Sequence, residues 1–179
     1  MKLLSAQELR PALTWFLVTA SITCGSDLLT KAWVESMFEG RQGGVRSVIG
    51  GWLELSLTYN HGTAFSIVSD VGQARWVFGL LAAGLFFLLL RLVVTSPMRR
   101  WQLFGLGAVA GGGLGNGIER ISGSGVVDFI KVNYPWGGNW PLFNAADVFV
   151  VVGVGILFLF SRGNGGAGLG SGVGAQGLS

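Results

Sequence analysis

Two aspartates stand where a carboxylate is expensive. Asp128 lies in Gly-Val-Val-Asp-Phe-Ile, and Asp147 lies in Phe-Asn-Ala-Ala-Asp-Val just ahead of a long apolar stretch. An ionisable side chain close to hydrocarbon marks a functional site by default. Two such groups together suit acid–base work, because neighbouring carboxylates push their proton affinities apart. One can then deprotonate a water while the other protonates the departing group, which is hydrolysis without a metal or a covalent nucleophile. Spacing alone leaves a blander account open: Asn144 and Asp147 have the spacing of a helix cap with an acid in the first turn, and Asp128 would suit a solvated loop.

Other polar residues fall on the same side of the chain's hydropathy pattern. Asn116 and Arg120 are four apart and share a helix face, where an amide and a guanidinium can hold a peptide backbone or orient a carboxylate. Asp27 and Lys31 repeat the four-residue spacing at the end of the first apolar segment, either as an exposed ion pair or facing a substrate. Asn60 closes an amphipathic run ahead of His61 and is placed either to pair with an extended peptide or to make a turn.

These residues must be positioned by a membrane protein. Half of the 179 residues are hydrophobic and only 12% are charged, against about a quarter in an ordinary soluble domain. A single cysteine and a single histidine exclude a disulfide framework and argue against a zinc site. The net charge of +3 is scattered and forms no stripe for nucleic acid. Four segments are read as transmembrane helices, at Pro11–Trp33, Ala74–Val94, Gln102–Gly117 and Ala145–Ser161. The first is a retained span rather than a cleaved signal, because it runs to Asp27 without a clean small-residue cleavage site. The third is short, and its glycines at 107, 111 and 115 let a neighbouring helix come close.

Between the first two helices, Leu53, Leu55, Leu57 and Tyr59 alternate with polar residues, which predicts a half-buried strand in a small sheet at the membrane surface. The fold class is therefore an all-α membrane protein of four transmembrane helices with a small extracytoplasmic β-sheet. Residues 1–162 form the membrane domain, and 163–179 form a flexible Gly-rich tail. Lys2, Arg10, Arg91, Arg99, Arg100 and Arg162 in short segments put both termini in the cytoplasm, with the two aspartates near the outer face.

Five motifs in order then resemble the bacterial lipoprotein signal peptidases (signal peptidase II): Asp27-Leu-Leu-Thr-Lys31, Asn60-His-Gly-Thr-Ala-Phe65, Gly115-Asn116-Gly-Ile-Glu119-Arg120, Val126-Val-Asp128-Phe129 and Phe143-Asn144-Ala-Ala-Asp147. The resemblance covers nearly all of the chain except the tail. It implies an aspartyl endopeptidase of the bacterial inner membrane that cuts prolipoproteins before a diacylglyceryl-modified cysteine. Asp128 and Asp147 would be the catalytic dyad, and Asn60, Asn116, Arg120 and Asn144 would bind substrate or position the dyad. Asp27 and Lys31 would support them. The family needs no cofactor or metal, works among membrane lipids and is inhibited by globomycin. Two departures stand out: Glu119 replaces the family's usual Asp, and Thr63 its usual Ala. Glu119 keeps the charge with one more methylene, and its expected role is to orient Arg120. A small proton- or ion-coupled transporter is the rival reading, since it too keeps carboxylates at membrane depth. A serine–histidine site of Ser66 and His61 is a weaker one, lacking any nucleophile elbow.

Overall fold

A computed structural model describes residues 4–61, 71–122 and 125–161, apart from the side chains of 71–74 and 161. The tail 163–179, residues 62–65 of the second motif and Ser66 lie outside the described residues. In chain order the elements are α1 (Ala6–Met37), β1 (Val45–Ile49), β2 (Leu53–Asn60), α2 (Val71–Thr95), α3 (Arg100–Ser122), β3 (Val126–Val132) and α4 (Ala145–Ser161). Four helices and one small antiparallel sheet, ordered β1-β2-β3, thus make up the described chain.

The first helix begins five residues before the expected Pro11 and continues past Trp33 to Met37. Its start is set by Ser5, whose backbone N–H (3.1 Å) and hydroxyl (2.7 Å) both donate to the Glu8 carboxylate. That interaction offsets part of the cost of Pro11, which removes one helical hydrogen bond near the start. By length and hydropathy, α1 and the Arg75–Thr95 part of α2 are able to cross a bilayer, while α4 is apolar but shorter. Leu80, Leu81, Phe87 and Leu88 on α2 and Val151 and Leu159 on α4 are exposed. Such a belt is a liability in water and is at home in lipid.

α3 lies between the other three helices and packs on each of them. Its glycines decide how closely. A Cβ at Gly107 would come within 2.7 Å of Thr19 Cβ and 2.8 Å of the Phe16 carbonyl oxygen. One turn on, a Cβ at Gly111 would collide with the Thr23 hydroxyl and the Ala20 carbonyl, and at Gly115 with the Asp27 carboxylate. The four-residue glycine repeat therefore matches a repeat on α1, where Thr19, Thr23, Asp27 and Lys31 are all buried on one face. On another face of α3, a Cβ at Gly112 would come within 2.6 Å of the Ala146 carbonyl oxygen, so the missing side chain lets the start of α4 sit close.

The sheet has its own apolar core. Val34 of α1 and Phe38, just past its end, meet Leu57, Val127 and Phe129, with Leu55 and Tyr59 packed alongside. Leu55, Leu57 and Tyr59 thus share the inner face that their alternation predicts. A register shift between Leu55 and Thr58 interrupts the β2–β3 pairing, and Ser56 on the other face is buried as well.

Because the α1–α3 approach is set by the missing Cβ, Gly111→Ala is expected to cost about 1–3 kcal/mol through overpacking. Thermal unfolding in detergent should show a clear drop for Gly111→Ala. Gly84→Ala, where nothing lies within 4 Å of the new Cβ, should leave the midpoint unchanged or slightly higher. Equal midpoints for the two variants would count against close α1–α3 packing.

Candidate active site

The two aspartates are brought to Asn144 from different elements. Asp128 sits in β3, paired across to Thr58 of β2, and Asn60 lies two residues further along the same strand. This diagonal relation puts both side chains on one face of the sheet, and Asn60 Nδ2 donates to Asp128 Oδ2 at 2.9 Å. Asp147 arrives on the first turn of α4. The segment before that helix runs antiparallel to β3 at Phe143, whose carbonyl accepts from the N–H groups of Phe129 (3.0 Å) and Ile130 (2.8 Å). Asn144, the next residue, is thereby set between the carboxylates.

Asn144 is fully buried and touches both carboxylates. Its Nδ2 donates to Asp128 Oδ1 at 2.8 Å and to Asn116 Oδ1 at 3.1 Å. Its Oδ1 accepts from the Asp147 N–H at 3.1 Å, and its own N–H donates to Asp147 Oδ2 at 3.1 Å. The last two bonds form the reciprocal cap that the sequence allows at this helix start. The cap that the spacing allows is therefore formed, by the same two residues that the acid–base reading names.

Behind this pair is a buried cation. Lys31, 1% exposed, lies 2.7 Å from Asp27 and 2.6 Å from Glu119. It also donates to Asn116 Oδ1 at 2.8 Å, and Asn116 Nδ2 donates to Asp147 Oδ1 at 3.1 Å. The other Asp27 oxygen, Oδ1, accepts from the Ala146 N–H of α4 at 2.8 Å. Asp27 and Lys31 are thus neither an exposed ion pair nor aimed outward. They are fully buried, because the face of α1 that carries them is covered by Gly115 and the start of α4.

Arg120 and Glu119, adjacent on α3, turn to different partners. Arg120 donates from Nη1 to the Asn60 carbonyl at 2.8 Å, and its guanidinium lies over the Phe78 ring at 5.2 Å. It therefore fixes the end of β2 next to Asp128. Glu119 was expected to orient Arg120, but its ion pair and hydrogen bond go elsewhere. Its carboxylate pairs with Lys31 and accepts, at 3.3 Å, from the Val127 N–H. Residues 119 and 120 are adjacent on a helix and point about 100° apart, so Glu119 joins the buried cation to the strand that carries Asp128.

Asp128 itself is 6% exposed. Burial pushes its carboxyl above the usual carboxylate range, and the nearby Asp147 charge acts in the same direction. The Asn60 and Asn144 amides pull it back part of the way. Asp147 accepts hydrogen bonds at both oxygens in the first turn of a helix, where negative charge is favoured. Two carboxylates held on either side of Asn144 have the composition of an acid–base pair. Among the described residues, no cluster of His, Cys, Asp and Glu suits a metal ion.

Lys31→Met would leave Asp27 and Glu119 without their cation, a loss expected to cost about 3–5 kcal/mol. Lys131→Met breaks the more exposed pair with Glu54 (3.0 Å) and should cost no more than about 1 kcal/mol. Chemical unfolding of both variants checks this, and similar losses would contradict it.

The sequence was compared with known families and structures. The family model described as signal peptidase (SPase) II matches residues 19–162. A lipoprotein signal peptidase from Xylella fastidiosa (strain 9a5c) is 38% identical over 144 residues, 79% of this chain and 84% of that protein. One from Trichormus variabilis is 35% identical over 139 residues, 77% of this chain and 83% of that protein. A solved bacterial membrane enzyme shares the fold, with a TM-score of 0.73 at 23% identity over 83% of this chain and 93% of that one. Nothing in these likenesses favours a transporter, and the chain belongs to the signal peptidase II family.

Proposed function

We propose that this membrane peptidase is an aspartyl endopeptidase that removes the signal peptide from prolipoproteins, cutting before a diacylglyceryl-modified cysteine. The observation that carries this reading is the buried Asn144 amide, which bridges Asp128 and Asp147 while burial favours a proton on Asp128. In the reaction, Asp147 takes a proton from water and the resulting hydroxide attacks the scissile carbonyl. Asp128 gives its proton to the carbonyl oxygen, forming a gem-diol. On collapse, Asp147 passes its proton to the departing cysteine nitrogen, the C–N bond breaks, and a gem-diol proton returns to Asp128. Both carboxylates end as they began, and no cofactor takes part.

In this reading Asn60, Asn116, Arg120 and Asn144 bind substrate or position the dyad, and Asp27, Lys31 and Glu119 support them. All four helices span the inner membrane within a domain of residues 1–162, with residues 163–179 as a tail. Both termini are cytoplasmic and the dyad is near the outer face. A substrate anchored by its own lipid is met at that depth without extracting its acyl chains. Globomycin, the family's inhibitor, would compete for the same site.

The test is cleavage of a diacylglyceryl-modified lipobox peptide by the detergent-purified protein. Asp128→Asn and Asp147→Asn are each expected to lower kcat by about 10²–10⁴-fold, the usual worth of a positioned acid or base. Retention of activity by either variant refutes the dyad. The pH–rate profile should be bell-shaped. Activity falls at low pH when both carboxyls are protonated and no base remains, and at high pH when the shared proton is lost. The Asn60 amide lowers the proton affinity of Asp128, so Asn60→Ala should move the alkaline limb to higher pH. A shift to lower pH would contradict the assignment of the proton to Asp128.

A further inference from the structure

Past Ser56, β2 loses its β1 neighbour. The β1–β2 pairing ends at Val45 and Ser56, with one further bond from the Gly43 N–H to the Leu57 carbonyl at 3.1 Å. The β2–β3 ladder is itself interrupted by the register shift between Leu55 and Thr58. The end of β2, residues 58–60, therefore needs anchors beyond the ladder. This is the stretch that carries Asn60, the donor to Asp128.

Carboxylates from two helices hold the sheet at this point. Tyr59 of β2 and Val127 of β3 are cross-strand partners. The Tyr59 hydroxyl donates to Glu35 Oε1 of α1 at 2.8 Å, and the Val127 N–H donates to Glu119 of α3 at 3.3 Å. The next residue on each strand is Asn60 on β2 and Asp128 on β3, their side chains turned to the opposite face by the strand alternation. The Glu35 bond is the main cause that holds the Tyr59 phenol above its ordinary proton affinity, with burial and the Glu35 and Glu119 charges adding to it. The phenol therefore stays a donor.

We infer that Glu35 and Tyr59 are positioning residues for the reaction, their hydrogen bond holding the Asn60 amide against Asp128. The inference rests on the peptidase reading above. The pair acts through Asn60 alone, from the helix-facing side of the sheet. Glu35 thereby does for β2 what Glu119 does for β3.

The test is cleavage of a diacylglyceryl-modified lipobox peptide by the full-length protein in detergent, followed as kcat, KM and the pH–rate profile. Tyr59→Phe keeps the ring and removes only the hydroxyl. It should lower kcat by about tenfold with KM little changed, short of the ~10²-fold that a 1 Å misplacement can cost. Its alkaline limb should move to higher pH, because a looser Asn60 amide lowers the proton affinity of Asp128 less. The charges that face Asp128 and its strand are Asp147 of α4, Lys31 of α1, and Glu119 and Arg120 of α3, and all are unchanged in this variant. Glu35→Ala should repeat both effects, and adding it to Tyr59→Phe should cost little more, since the two share one bond. Glu35→Gln keeps an acceptor for the hydroxyl and should stay near the wild-type rate and limb. Lys131→Met breaks a side-chain tie between the same two strands at their other end, 3.0 Å to Glu54, and should leave kcat and the limb in place. A wild type that cuts while Tyr59→Phe matches its kcat overturns the positioning role alone. A lower kcat with an unmoved limb also overturns it, as does an equal shift in Lys131→Met. If the wild type cuts no peptide, the peptidase reading itself fails, and the positioning role with it.

Discussion

The site depends on one ammonium group. Lys31 is buried with Asp27, Glu119 and the Asn116 amide oxygen around it. A lysine out of water is costly unless its charge and its donors are all met. Two elements supply the partners: α1 gives Asp27, and α3 gives both Asn116 and Glu119. Asp27 then holds the first turn of α4 through Ala146, and Glu119 holds β3 through Val127. Both elements that bear the two aspartates, α4 and β3, are therefore tied to the same cation.

The cation also fixes which way the amides face. Because Lys31 donates to Asn116 Oδ1, that oxygen must be the acceptor end and the Asn116 NH₂ must face Asp147. Asn144 donates to the same oxygen, so its own NH₂ lies toward Asn116 and Asp128 and its oxygen toward the Asp147 N–H. One positive charge thus settles two amide orientations and, through them, the donors that both carboxylates see. Close helix packing makes this possible. With any side chain at Gly115, the Asp27 carboxylate would lose its place beside α3.

Much of this was legible in the sequence. The helix count, the amphipathic strand and the polar residues at 27, 31, 60, 116, 120, 128, 144 and 147 follow from hydropathy, alternation and motif order. The glycine repeat at 107, 111 and 115 pointed to a close helix neighbour. What it did not reveal is which neighbour, although Thr19, Thr23, Asp27 and Lys31 repeat at the same four-residue step on α1. Reading the two repeats against each other would have buried Asp27 and Lys31. The direction of Glu119 was out of reach, because adjacent helical residues diverge and only the tertiary arrangement selects their partners. The bridging role of Phe143 was also hidden, since it acts through its backbone and any residue type can supply a carbonyl.

The central claim is that Lys31 acts on the dyad by orienting Asn116, beyond balancing buried charge. It is tested most directly by removing the charge problem and the cation together, in the triple variant Asp27→Asn, Lys31→Met, Glu119→Gln. Unfolding and peptide cleavage are measured on the same preparation. The account predicts a folded protein whose kcat falls by about a hundredfold, the scale of a misplaced catalytic group. A folded triple variant that cleaves at the wild-type rate would contradict it.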